Sequence, residues 1–243
     1  MPPTLRRRDS VAVQQRLAAR TLPAVIVVVG VPGWRTGDLP GPDGLASRVA
    51  LAAAEAGSAV ELVGRVGDDP TGDSLLLALT RAGVGHAAVL RDPARGTPLV
   101  DSSVDRAEAV APDDDEAPAT KPPTGPDPRL PFLDAADLEL GLRYVPDYHV
   151  LVVAHPIAGA MLRTVDDAAS YSGAHLVLLT TDPTTADDLV TKASTVLAVP
   201  DDDDGAFAQV VAAYAVRLDL GAAPADAFRE AVGQAGWSAA DPD

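Results

Sequence analysis

Val60-Glu61-Leu62-Val63-Gly64-Arg65-Val66-Gly67-Asp68-Asp69-Pro70-Thr71-Gly72-Asp73-Ser74, continuing through Leu75 to Gly83, is the stretch on which the fold depends. A short apolar strand runs into a turn of glycines and aspartates. Glycine supplies positive φ in such turns, and aspartate side chains satisfy turn amides. A helix follows, with Leu75, Leu76, Leu79 and Ala82 on one face. Arg65 is expected to pair with Asp68 or Asp69.

On the N-terminal side, Val25–Val29 is a β-branched run ending at Gly30, which predicts a buried strand of a parallel sheet. Val31–Asp43 is rich in Gly and Pro and is expected to be a loop. Gly30, Gly33 and Gly37 do not make the G-x-G-x-x-G spacing of a dinucleotide site. Leu45–Ala56 has helical spacing, with Gly57 as its stop. Ala59–Val63 is the second strand and Ala87–Leu90 the third.

On the C-terminal side, Asp101–Arg129 carries an acidic run at Asp113–Glu116 and six prolines from Pro112 to Pro128. Without apolar periodicity, it is expected to be a solvated loop. Strand and helix patterns then resume. Helices are expected near Ala135–Leu142, Ile157–Ser170, Ala186–Ala193, Gly205–Asp219 and Ala225–Ala235. Strands are expected at His149–Val153, His175–Leu179 and Thr195–Val199. Trp237 is expected to cover an apolar edge. The two halves have about three strands each, too few for two stable sheets. One sheet shared by both, with helices on its faces, is the simpler solution. Residues 1–22 are expected to form a tail or one short helix, and 23–243 a single domain interrupted at 101–129.

Composition narrows the function. The chain has 243 residues, 47% hydrophobic but only 4% aromatic, so the core is built from Ala, Val and Leu. A net charge of −16 repels a phosphate backbone and argues against nucleic acid as partner. No apolar run approaches the ~20 residues of a membrane span. There is no cysteine, hence no disulfide framework, thiolate metal site or cysteine nucleophile; a cytoplasmic location is expected. The four histidines lie at strand edges without ligand spacing and are expected to be structural. Ser47, Ser58 and Ser74 lack a G-x-S-x-G elbow.

Gly64, Arg65, Gly67, Asp68, Asp69, Pro70 and Gly72 closely resemble the G-R-x-G-x-D-x-x-G turn of the ribokinase-like (PfkB) sugar and nucleoside kinases. The resemblance extends over Val25–Leu99. It includes Arg91 and Thr97–Pro98, which look like the family's stretch leading to its lid. It implies a three-layer α-β-α fold around a mostly parallel sheet. It also implies ATP and Mg²⁺ as cofactors of an active enzyme, and a sugar or nucleoside as ligand.

The residues that would carry the chemistry depart from the family pattern. Aligned back from Gly57, Asp43-Gly44-Leu45-Ala46-Ser47-Arg48 stands where the family has G-G-x-G-x-N, and only Gly44 matches. Arg48 replaces the asparagine that hydrogen-bonds sugar hydroxyls, and a guanidinium has no acceptor. The aspartate at the exit of strand one is missing, and Asp38 is the nearest substitute if its loop folds back. Asp38, Gly44 and Arg48 are therefore the substrate-binding candidates.

The family's G-A-G-D-A-F segment is matched best by Asp202-Asp203-Asp204-Gly205-Ala206-Phe207. The resemblance puts Gly205 and Ala206 at the phosphate-binding helix start. It leaves glycine at the position of the general base. The aspartate run has three open roles. It can cap the following helix. Asp202 and Asp203 can hold a divalent metal. Asp204 can act as a displaced base. A carboxylate cluster repels the phosphate that the family's glycines cradle. The expectation is a ribokinase-like homologue that has lost phosphotransfer and acts as a binding or interaction module. It would act alone, as a homodimer, or through its acidic loop on a basic protein partner. The alternative is an active ATP- and Mg-dependent kinase.

Overall fold

The computed structural model describes residues 25–101, 129–145, 147–157, 159–180, 195–200 and 205–234. The tail, most of the acidic Pro-rich loop, the expected helix at Ala186–Ala193, the run Asp201–Asp204 and Trp237 lie outside these residues.

Nine strands are described: β1 Val25–Val29, β2 Gly33–Thr36, β3 Gly41–Asp43, β4 Ala59–Gly67, β5 Val84–Asp92, β6 Leu99–Asp101, β7 Val150–Val153, β8 His175–Thr180 and β9 Thr195–Ala198. The described helices are α1 Leu45–Glu55, α2 Pro70–Arg81, α3 Ala135–Arg143, α4 Ala160–Ser172, α5 Ala206–Asp219 and α6 Pro224–Gln234.

One six-stranded sheet spans both halves, in the order β5-β4-β1-β7-β8-β9, and every pair in it is parallel. Alternation along β1 divides the core. Ile26 and Val28 face one layer with α1, α2, α5 and α6, whereas Val27 and Val29 face the other with α3 and α4. Both faces of each central strand are thus covered, as its unbroken β-branched run requires. The result is the expected three-layer α-β-α arrangement.

Two expectations need correction. Val31–Asp43 is not all loop. It contains β2 and β3, which pair antiparallel, and β2 pairs parallel with β6 to make a second, three-stranded sheet. Its proline is tolerated because Pro42 lies in an edge strand, where no ladder donor is needed. Second, β4 continues to Gly67, so Gly64–Gly67 is strand and the turn is confined to Asp68–Asp69.

The glycines of that stretch also have a different reason from the one expected. None of Gly64, Gly67 and Gly72 has positive φ. Each is required by close approach. A Cβ on Gly64 would collide with the Gly30 carbonyl oxygen, one on Gly67 with Asp69 Oδ2 and the Thr97 amide, and one on Gly72 with the Gly67 carbonyl.

Candidate functional site

The strands of the large sheet end, at their C-terminal edge, beneath the start of α1. A Cβ on Gly30 would lie 2.6 Å from the Ala46 Cβ and 2.9 Å from the Ala154 carbonyl oxygen. The first turn of α1 therefore rests directly on the exits of β1 and β7. In open α/β sheets this edge is where ligands bind.

α1 begins at Gly44, whose φ of 83° no side chain would readily adopt, and its first helical bond runs from the Arg48 amide to the Gly44 carbonyl at 3.0 Å. Asp43, at the end of β3, is nearly buried. Its Oδ1 accepts from the Gly44 amide at 2.7 Å and lies 3.5 Å from Arg48 Nε, while its Oδ2 lies 3.7 Å from the Arg35 guanidinium. One carboxylate is thus shared between two arginines from different elements.

α5 starts opposite. Gly205 caps it in the left-handed region, φ 97°, and offers no side chain to the helix amides. Arg48 Nη1 lies 3.7 Å from where a Gly205 Cβ would be. Between α1 and α5 lies a cleft of about 520 Å³, within the size range of small-molecule sites. Arg35, Asp43, Arg48, Glu55 and Gln209 supply its polar wall, and Gly205 and Ala206 the helix start. The positive end of the α5 dipole is presented to the cleft.

The structure thus brings Arg48, Gly205 and Ala206 to one cleft, with Gly44 beneath them at the start of α1. Asp38 stands exposed in the turn between β2 and β3 and is not among the cleft residues. Asp202, Asp203 and Asp204 lie outside the described residues. Sequence reasoning overlooked Arg35 and Asp43 as wall residues. An Asp-Gly pair before a helix signals a turn, and nothing in it tells that the carboxylate will face two arginines.

An implied nucleotide and metal fit this cleft unequally. Arg48 and the helix start suit an anionic group. Among the described residues no group of three or more His, Asp or Glu side chains gathers as a metal site.

Behind the cleft, the signature stretch is locked to the loop after β5. Asp69 caps α2 by accepting from the Gly72 amide at 2.7 Å, and it also accepts from the Thr97 amide at 2.7 Å and the Thr97 hydroxyl at 2.9 Å. Partial burial opposes the charge on Asp69, but these donors outweigh it and hold the carboxyl below the usual carboxylate range. Thr97 Oγ1 in turn accepts from the Gly67 amide at 3.1 Å. Arg65 does not pair with Asp68 or Asp69 as expected. Since Gly64–Gly67 is strand, the Arg65 side chain is carried to the α3 layer. There it meets Asp137 at 2.7 Å, with Asp92 at 3.6 Å. Arg91 on β5 is the partner of Asp68, at 3.4 Å, and of Asp73, at 2.6 Å.

The parallel sheet, the small accessory sheet and the cleft at the strand exits define an α/β protein of the ribokinase-like fold. Solved structures bear this out. Arabidopsis thaliana ribokinase, determined with ribose and ATP, has 16% identity and a TM-score of 0.58, covering 88% of this chain and 91% of its own. Aminoimidazole riboside kinase from Salmonella enterica, with aminoimidazole riboside and an ATP analogue, has 13% identity and a TM-score of 0.58, covering 87% and 90%. Ribokinase from Cryptococcus neoformans, with ADP, has 16% identity and a TM-score of 0.53, covering 88% and 93%. At such identities the likeness concerns the fold. No protein-family model matches the chain, and no curated protein matches it by sequence. Among the described residues no helix is long and apolar enough to cross a membrane.

Proposed function

We propose that this protein is a ribokinase-like homologue that has lost phosphotransfer and uses the α1–α5 cleft to bind a small sugar- or nucleoside-like molecule. The observation that carries the reading is the pairing of Arg48 with Gly205. At the helix start where the resemblance expects a general base, there is a glycine, and an arginine from α1 lies against it. Glycine has no group to take a proton from a hydroxyl. The polar wall of Arg35, Asp43, Arg48, Glu55 and Gln209 nevertheless offers both donors and acceptors to a polyhydroxylated ligand. The similar structures hold ribose, aminoimidazole riboside and adenine nucleotides, and these set the ligands to try.

Calorimetric titration with Mg-ATP, ribose, fructose 6-phosphate and adenosine, run beside a turnover assay, tests the proposal. Saturable binding of one ligand without turnover is the expected outcome. Arg48→Ala should weaken that binding by about tenfold or more, the worth of a charge-assisted hydrogen bond. Turnover that Asp204→Asn abolishes would overturn the proposal and establish an active kinase with a displaced base. Absence of binding to every ligand would overturn it in favour of a role in protein association.

A further inference from the structure

The α3–α4 layer carries a groove on the opposite face of the sheet from the cleft. Its volume is about 680 Å³, and Leu142, Tyr148, Ala168 and Tyr171 form its apolar surface. Tyr148 is buried and its hydroxyl bonds Ser172, so the floor is rigid and satisfied. Tyr171 at the rim is 96% exposed. The groove's charged lining is net acidic: Glu139 is paired with Arg143, and Asp167 has no hydrogen-bond or ion-pair partner among the described residues. Asp147, exposed, directly precedes Tyr148 of the floor.

The chain itself contains a segment of complementary character. Residues 1–24 hold five arginines (Arg6, Arg7, Arg8, Arg16 and Arg20) against the single acid Asp9, whereas the chain as a whole carries −16. Val11, Val13, Leu17 and Leu22 lie among these arginines. The segment joins the fold at Val25, whose carbonyl accepts from the His149 amide at 3.1 Å. His149 directly follows Tyr148 of the groove floor. The point of attachment is therefore about one strand spacing, ~4.8 Å, from the strand that leads out of the groove.

We propose that the basic N-terminal segment, residues 1–24, docks in the α3–α4 groove of its own chain. Its aliphatic side chains cover Tyr171 and Leu142, and its arginines engage Asp167 and Asp147. The tether supplies an effective concentration on the order of millimolar, so a contact of only about millimolar intrinsic affinity already fills the groove about half of the time.

The absence of cysteine makes the test direct. Ser170→Cys places a nitroxide label on α4 beside the groove without altering its lining. Ser74→Cys on α2 places a control label on the other layer. In ¹⁵N-labelled full-length chain, the label at position 170 should remove most of the amide intensity of residues 11–22, and the label at 74 should not. Asp167→Lys together with Asp147→Lys should restore that intensity, and Arg16→Glu with Arg20→Glu in the same chain should abolish it again. Undiminished signals with the label at 170 would overturn the proposal. So would broadening seen only between a labelled and an unlabelled molecule, which would assign the groove to a second copy. Broadening that survives the lysine substitutions would also overturn it.

Discussion

Gly64 is small because the Gly30 carbonyl oxygen already occupies the space a Cβ would need, and Pro32 presses from the same side. Both neighbours belong to backbone or a rigid ring, so neither can rotate away. Gly64→Ala should therefore cost about 1–3 kcal/mol, as overpacking of a close-packed interior does, with β1 and β4 pushed apart at their exits. Urea unfolding followed by circular dichroism measures it. Asp69 presents the opposite case, a residue defined by what it accepts. Three donors converge on its carboxylate. Asparagine would place an NH₂ against an amide donor, so Asp69→Asn should cost about 1–2 kcal/mol. The pH dependence has a definite sign. A carboxyl held below its ordinary value contributes fully above the unfolded aspartate pKa of about 3.9, and the contribution is lost as pH falls from there through the folded value. The wild-type protein should lose stability in that acid window, and Asp69→Asn should lose less across it. Glu61 runs the other way. Burial is the largest influence on it and raises its pKa, so its charge is a liability at neutral pH. That stability is greatest in acid and declines as pH rises from the unfolded glutamate pKa through the raised folded one. Glu61→Gln should accordingly stabilise the protein at pH 7 more than at pH 4, measured by the same unfolding curves.

At the scale of elements, Arg65 decides how the α3 layer is seated. It projects from β4, bonds Asp137 in the first turn of α3 and donates to the Phe132 carbonyl at 3.3 Å just before that helix. Asp137 is itself half of a capping box with Asp134. Arg65→Met keeps the aliphatic stem but leaves Asp137 without its cation and Asp92 with Arg95 alone. A cost of about 1–3 kcal/mol is expected, between exposed and buried ion pairs. It should appear as faster amide exchange in α3 than in α1. This tie also marks the limit of what the sequence discloses. Val25–Val29 could be placed in the sheet because burial on both faces demands an uninterrupted β-branched run. α4 and α5 could be placed because their apolar spacing is long enough to be periodic. β2 and β3 escaped because their sequences, Gly-Trp-Arg-Thr and Gly-Pro-Asp, carry no alternation and are held by distant partners, such as the Pro98 carbonyl that accepts from the Trp34 amide at 2.8 Å. Arg65 meets Asp137 and Asp92 rather than the nearby Asp68 and Asp69 because a strand that runs four residues longer turns its side chain to another layer. In the site, Arg48 and Gly205 could be joined only through the family resemblance. No spacing rule connects positions so far apart; Arg35 carries no signal, and Asp43 shows only as a mismatch to the family's glycine.

At the scale of the whole molecule, one sheet joins two halves of the chain through a long acidic connection. Its two ends do not separate in the folded protein. Arg129, where the described chain resumes, accepts at its carbonyl from the Gly96 amide at 3.2 Å. Gly96 precedes the end of β6 at Asp101 by five residues, a span of at most ~17 Å when extended. A linker of about six residues reaches that distance, whereas 27 residues occupy it, from 102 to 128. The entropy of closing a loop grows as three halves of RT times the logarithm of its length, so the shorter connection should stabilise the fold by about 1.3 kcal/mol. Replacing residues 102–128 with a six-residue Gly-Ser linker tests this by urea unfolding at equal pH and salt. The result expected is a folded protein with the same ligand binding at the α1–α5 cleft and a midpoint shifted upward. Removing an acidic run at Asp113–Glu116 from a chain of net charge −16 acts in the same direction, because self-repulsion falls. The gain should therefore shrink as salt is raised, until the entropic part alone remains. A loss of stability instead would show that the segment packs on the domain. Unchanged stability with loss of association to a basic protein would assign the segment to partner binding rather than to the fold.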